Sequence, residues 1–151
     1  MFAALACVLC LTLGCEDESA TPAVDPIKDH PGKFIELTEA NFDEKVLQAE
    51  GIVMVDFWNV TCQPCIEMAP WVAEISNEYD GRVVVGKLNT LKHVKTADNY
   101  RARTVPQIIF FKDGEPAKFK DIEGNEVDRL GYASKEEMTE VLDLLLARES
   151  A

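Results

Sequence analysis

Two cysteines three positions apart, in Cys62-Gln63-Pro64-Cys65, are the residues of this 151-residue chain best suited to chemistry. A Cys-X-X-Cys pair can be a structural cross-link, half of a tetrahedral zinc site, or a dithiol that cycles between thiol and disulfide. As a cross-link it is poor, because closing so short a loop removes little entropy from the unfolded chain. As a zinc site it lacks partners. The only histidines, His30 and His93, belong to no second paired motif, and Cys7, Cys10 and Cys15 all fall near the N-terminus. A reactive dithiol remains. Asp56, a little upstream, interrupts an apolar run. Burying a carboxylate is expensive, and desolvation raises its pKa towards neutrality. Asp56 is therefore either a proton carrier beside the dithiol or a hydrogen-bonded structural aspartate at a strand end.

The elements that must position these groups are legible in the apolar pattern. Ile52-Val53-Met54-Val55 reads as a strand buried on both faces, and Met68, Val72, Ile75 and Tyr79 form the apolar stripe of an amphipathic helix. The Cys-X-X-Cys falls where strand passes into helix. Unpaired N–H groups and the positive end of the helix dipole favour a thiolate there, and Pro64 is tolerated in a first turn. Upstream, residues 34–37 read as a short strand, and Thr38 caps a predicted helix with Phe42, Val46 and Leu47 on one face, broken by Gly51. Downstream come a buried strand over 82–88 and a short helix around Val94, Ala97 and Tyr100. A strand over 107–111 ends at the turn Asp113-Gly114. Two strand-like pieces, 117–122 and 126–130, flank a turn at Glu123-Gly124-Asn125. Ser134 to Glu137 is a capping box opening a helix with Met138, Val141, Leu142 and Leu145 on one face. Alternating strands and helices followed by a hairpin predict an α/β mixed sheet.

Val55-Asp56-Phe57-Trp58, the Cys-X-Pro-Cys, Met68-Ala69-Pro70, Lys87-Leu88-Asn89, Thr104-Val105-Pro106 and Phe111-Lys112-Asp113-Gly114 resemble the thioredoxin family. The resemblance runs from about residue 33 to 148. It implies the thioredoxin fold: a mixed β-sheet with helices on both faces and an N-terminal strand–helix extension. It also implies that Cys62 attacks and Cys65 resolves, and that Asp56 moves the resolving proton. Lys87 matches a lysine near that aspartate, though it reads equally as a surface charge on a strand edge. Pro106, which could be a plain strand-start residue, matches a cis-proline whose loop presents Val105 to an extended substrate. Trp58 is expected to pack beside the site, while Trp71 is undecided between core and surface. Two positions depart from the family. Thr61 stands where a tryptophan is usual, reducing an apolar docking patch and offering its hydroxyl as a further donor, and Gln63 stands for a glycine, adding an amide donor near Cys62. Both changes push towards a less reducing pair than thioredoxin's, which has a potential of about −270 mV. The segment 116–130 is longer than the family's final hairpin.

The composition, 47% hydrophobic and 28% charged, is that of a globular domain, and one domain with short appendages fills the length. A net charge of −12 leaves no basic patch for nucleic acid. Residues 2–13 are apolar and uncharged, the length of a signal-peptide core rather than a membrane span. They lead into Leu11-Thr12-Leu13-Gly14-Cys15, which resembles a bacterial lipobox with Cys15 as the lipid-attachment site. Ordinary secretion and retention as a poor anchor are the alternatives. Residues 16–32, acidic with three prolines, read as an extended linker reaching roughly 55 Å. The expected organisation is a signal peptide at 1–14, an acylated cysteine and linker at 15–32, and a thioredoxin-like domain at 33–151. The function expected is an extracytoplasmic thiol–disulfide oxidoreductase reducing protein disulfides, with no cofactor beyond the redox-active Cys62–Cys65 disulfide. It would be a monomer, held to a membrane through Cys15 and fed by a membrane or extracytoplasmic electron donor. The same fold acting as oxidase or isomerase is the first alternative. A metal-delivery module is the second; it lacks the histidine and wider cysteine spacing such Cu(I) sites use.

Overall fold

The structure is a computed structural model and describes residues 30–149. The signal-peptide stretch, Cys15 and most of the acidic linker lie outside the described residues.

Strand β2 (Ile52–Trp58) is buried at all seven positions, as an uninterrupted apolar run requires of a central strand. It lies between β3 (Val83–Asn89), parallel to it, and β4 (Gln107–Lys112), antiparallel to it. β1 (Ile35–Leu37) adds parallel to β3 at one border. At the other border β5 (Glu115–Pro116) and β8 (Arg129–Leu130) both pair antiparallel with β4, completing a six-stranded mixed sheet. Between them β6 (Phe119–Lys120) and β7 (Glu126–Val127) form a separate two-stranded ribbon.

Helices cover both faces. On one, Met68, Val72 and Ile75 of α1 (Gln63–Glu78) and Met138 and Leu142 of α3 (Lys135–Glu149) bury Ile52, Met54 and Phe110. Complete burial of each such side chain contributes about 1.5–3 kcal/mol. On the other face Phe42, Tyr100 and Phe111 pack ring to ring at 5.2–6.0 Å over Val53, Val55 and Phe57, beside the short helix α2 (Val94–Asn99). The Asp113-Gly114 turn has both residues at positive φ, as a type I′ hairpin demands. A Cβ on Gly114 would also sit 2.1 Å from the Leu47 carbonyl oxygen, so the position is closed to any other residue.

Two expectations change. The predicted helix after Thr38 is a five-residue π-helical turn, Asp43–Leu47, closed by Gln48 N–H donating to Asp43 O at 2.9 Å. Thr38 does not cap it: Phe42 precedes its first residue with no side-chain cap, and Thr38 exchanges hydrogen bonds with Asn41 in the turn before. The wide turn sends Phe42 and Val46 into the sheet, while Leu47 turns outward and is 38% exposed. The piece is too short for α-helical propagation to decide its shape, so packing decides. The long final hairpin over 117–130 is likewise divided. Ala117 N–H still donates to Phe110 O at 2.8 Å, and the chain then leaves the main sheet for the ribbon before β8 returns to β4. Phe119 anchors that excursion edge-on to Phe110 at 5.5 Å.

Candidate active site

The Cys62–Cys65 pair sits at the handover from β2 to α1. Cys62 is the N-cap, with extended backbone dihedrals, and its Sγ accepts the Cys65 N–H at 3.2 Å. Pro64 lies in the first turn, and no acidic residue does. The two cysteines are joined as a disulfide with Cα atoms 5.3 Å apart. Cys62 is 8% exposed and Cys65 3%, so the first cysteine is the less buried residue. Trp58 packs on the pair, and Val105 closes the same cluster from across the fold. The Val105–Pro106 bond is cis.

Asp56 is 2% exposed. Burial raises its pKa from the ordinary carboxylate range, and the nearby Lys87 ammonium works against the rise. Lys87, directly opposite Asp56 in the β2–β3 register, is itself buried, its Nζ 3.4 Å from Asp56 Oδ2. That ammonium also faces the rings of Phe34 and Trp58, each at 5.3 Å. The choice left open for Lys87 is settled: it is no surface charge. Trp58 Nε1, by contrast, is buried with no hydrogen-bond partner among the described residues, so the indole is held by shape.

A family model for thioredoxin matches residues 33–135, well over half of the chain. The chain belongs to the thioredoxin family. It is 40% identical over 111 residues to the thioredoxin of Buchnera aphidicola, covering 74% of this chain and 94% of that one. The thioredoxin of Staphylococcus haemolyticus is 36% identical over 111 residues, covering 73% and 95%. Thioredoxin 2 of Chlorobaculum tepidum is 33% identical over 84 residues, covering 56% and 77%. A thioredoxin-family domain carrying the Cys62–Cys65 disulfide is a thiol–disulfide oxidoreductase, and thiol or disulfide proteins are the substrates the family suggests.

The residues expected to form the thioredoxin site come together only in part. Cys62, Cys65 and Val105 share one cluster, and Asp56 and Lys87 form a buried pair on the adjoining strands. Thr61 and Gln63 are exposed on either side of Cys62. The Thr61 hydroxyl donates to Asn59 Oδ1 at 2.8 Å, which also accepts the Thr61 N–H, so it is already committed and does not add a donor for Cys62. Asn59 was missed in the sequence. It has a twin at the end of β3, where Asn89 Oδ1 accepts the N–H groups of Leu91 and Lys92. An asparagine at the C-terminal end of β2 and of β3 is the available signal, since Asx turns end strands this way. These turns leave Val60 46% and Leu91 57% exposed. Trp71 is half-buried, edge-on to Tyr132. Among the described residues no group of three His, Cys, Asp or Glu side chains could hold a metal ion.

Proposed function

We propose that this chain is an extracytoplasmic, lipid-anchored reductase of protein disulfides. The observation that carries the chemistry is the sulfur cap: Cys62 Sγ occupies an N-terminus whose dipole no first-turn carboxylate offsets. In the reduced form the Cys62 thiolate attacks a substrate disulfide. One substrate sulfur leaves as a thiolate and takes a proton, and a mixed disulfide forms at Cys62. Cys65 then loses its proton to Asp56, attacks Cys62 Sγ and releases the second substrate thiol. Two electrons have passed to the substrate, and the Cys62–Cys65 disulfide is the oxidised product. A donor dithiol reverses the sequence. The substrate's extended chain lies along Val105, whose side chain already contacts the pair, and Thr61 flanks it. The exposed apolar side chains of Val60 and Leu91 support a protein partner over a small thiol. Location rests on the sequence alone: the apolar segment, Cys15 in its lipobox-like context and the acidic linker.

Cys65→Ser should trap partner proteins as mixed disulfides through Cys62, while Cys62→Ser traps few or none; equal trapping would reverse the assigned roles. Direction is decided by a glutathione redox titration. With Thr61 committed to Asn59, Gln63 alone supplies the extra donor, so the expected potential lies only tens of millivolts above about −270 mV. A value of about −120 mV would transfer the protein to the oxidase reading. Cys15→Ser should release the protein from membranes, since anchoring takes more than one acyl chain. A wild type that is soluble and free of fatty acid would remove the anchor.

A further inference from the structure

Arg129 lies near the end of the segment that departs from the family pattern, 116–130, and the contacts of its side chain give the departure a use. Arg129 stands opposite Ile109 in the β8–β4 pairing, which puts it diagonally beside Gln107, the first residue of β4. Its Nη1 donates to the Tyr100 carbonyl at 2.7 Å and to Gln107 Oε1 at 2.9 Å. Its Nε and Nη2 form a fork onto the Asp128 carboxylate at 2.7 and 3.0 Å, which fixes the plane of the guanidinium. Gln107, with its oxygen taken by Arg129, turns its Nε2 to the Thr104 carbonyl at 2.7 Å. The chain from Tyr100 to Gln107 includes Thr104, Val105 and Pro106. One cation therefore grips both ends of the loop that carries Val105, and through Gln107 reaches the carbonyl immediately before it.

We propose that Arg129 is a positioning residue for protein substrates: acting through Gln107, it holds the Thr104-Val105-Pro106 backbone in the orientation that receives an extended chain beside Cys62. This rests on the reading above that Val105 binds the substrate's main chain. Arg129 touches neither cysteine, so its effect falls on docking rather than on sulfur chemistry. A small aromatic disulfide, which needs only access to Cys62, provides the control. An extended segment pairing with this loop depends on the alignment of successive carbonyl and N–H groups, which a loosened loop does not maintain.

The experiment compares steady-state reduction of insulin and of dithiodipyridine by the full-length protein with dithiothreitol as donor. The variants are Arg129→Met, Arg129→Lys, Gln107→Met and Gln107→Glu. Losing a charge-assisted hydrogen bond from the loop should lower the insulin-to-dithiodipyridine ratio of kcat/KM about tenfold in Arg129→Met, through KM for insulin. Gln107→Glu keeps an acceptor for Arg129 but has no donor for Thr104, so it should fall as Gln107→Met does. Arg129→Lys should recover part of the ratio. Thermal melts separate these effects from unfolding, and if Arg129→Met does not fold, Gln107→Glu decides alone. A ratio unchanged in folded variants, or equal losses on both disulfides, overturns the proposal. If wild type reduces dithiodipyridine but not insulin, the protein-substrate reading itself fails and takes this proposal with it.

Discussion

The two long helices begin with the same physical problem and solve it differently. At α3, Ser134 Oγ accepts the Glu137 N–H at 3.2 Å, and Glu137 Oε2 accepts the Ser134 N–H at 2.8 Å, with Glu136 and Glu137 in the first turn. Donors are satisfied and the dipole is neutralised, so that end of the helix is chemically quiet. At α1 a sulfur replaces the hydroxyl, a proline occupies the first turn, and no carboxylate is present. The unspent positive potential is then available to a thiolate. A stabilising cap and a reactive one thus differ by the capping atom and by the two first-turn carboxylates that α1 lacks.

Breaking that contrast most severely is Cys62→Ser, which gives α1 the oxygen cap of α3. Disulfide exchange should fall by at least about three orders of magnitude, because the thiolate nucleophile is gone. Stability should change little, since the lost cross-link closes a very short loop; a large fall in the melting temperature would show that the disulfide is structural after all.

Next in size is Lys87→Met, which tests the second charge arrangement near the dithiol. Between the ordinary carboxylate pKa and its raised native value, Asp56 holds a proton in the folded state that the unfolded chain has lost. The unfolded state therefore binds fewer protons, and stability falls as pH rises through that window. Lys87 limits the rise, so its removal extends the window upward. Urea melts should show a small cost at acid pH, growing to about 3–5 kcal/mol once Asp56 is ionised without a partner. A cost independent of pH would mean that Lys87 contributes packing alone.

Ser134→Ala attacks the quiet cap instead. It should cost about 1 kcal/mol, a fall of several degrees in melting temperature, with exchange rates intact. A loss of activity in step with stability would show that α3 is coupled to the site.

The mildest change, Gln63→Glu, gives α1 the acidic first turn of α3. The carboxylate disfavours a thiolate at Cys62, raising the thiol's pKa, so the pH profile of alkylation by iodoacetamide should move to higher pH. A dipole contribution of about 0.3–1 kcal/mol corresponds to a roughly two- to fivefold lower thiolate fraction below the thiol's pKa. No shift would mean that the cap geometry, not the open dipole, activates the sulfur.

The sequence disclosed whatever depends on local pattern. The buried run of β2, the helix stripe of α1 and the capping box of α3 are each written within a dozen or so residues, and all three are present. Asp56 was legible for the same reason, as a carboxylate among apolar neighbours. Lys87 was not, because a lysine in a strand looks the same whether it faces solvent or a buried acid; only the register of β2 on β3 distinguishes them. Leu47 was assigned to the core by helical spacing that a π-helical turn does not keep. Nothing in the sequence sets Arg129 apart, since its partners Tyr100 and Gln107 lie far from it in the chain and meet it only through tertiary folding.

The borders of the sheet have a consequence for life at high concentration. β1 spans three residues, with charged Glu36 at its centre, and the opposite border is shared by two-residue strands, one of them ending in Pro116. Neither offers the long, flat row of open N–H and C=O groups that seeds edge-to-edge aggregation. A protein whose proposed work is to receive other chains in extended form gains from this, because strangers can pair where Val105 admits them and find little else to grip. The reverse follows for engineering: lengthening β1, or replacing Pro116 with a β-branched residue, would create the sticky border that the native chain lacks.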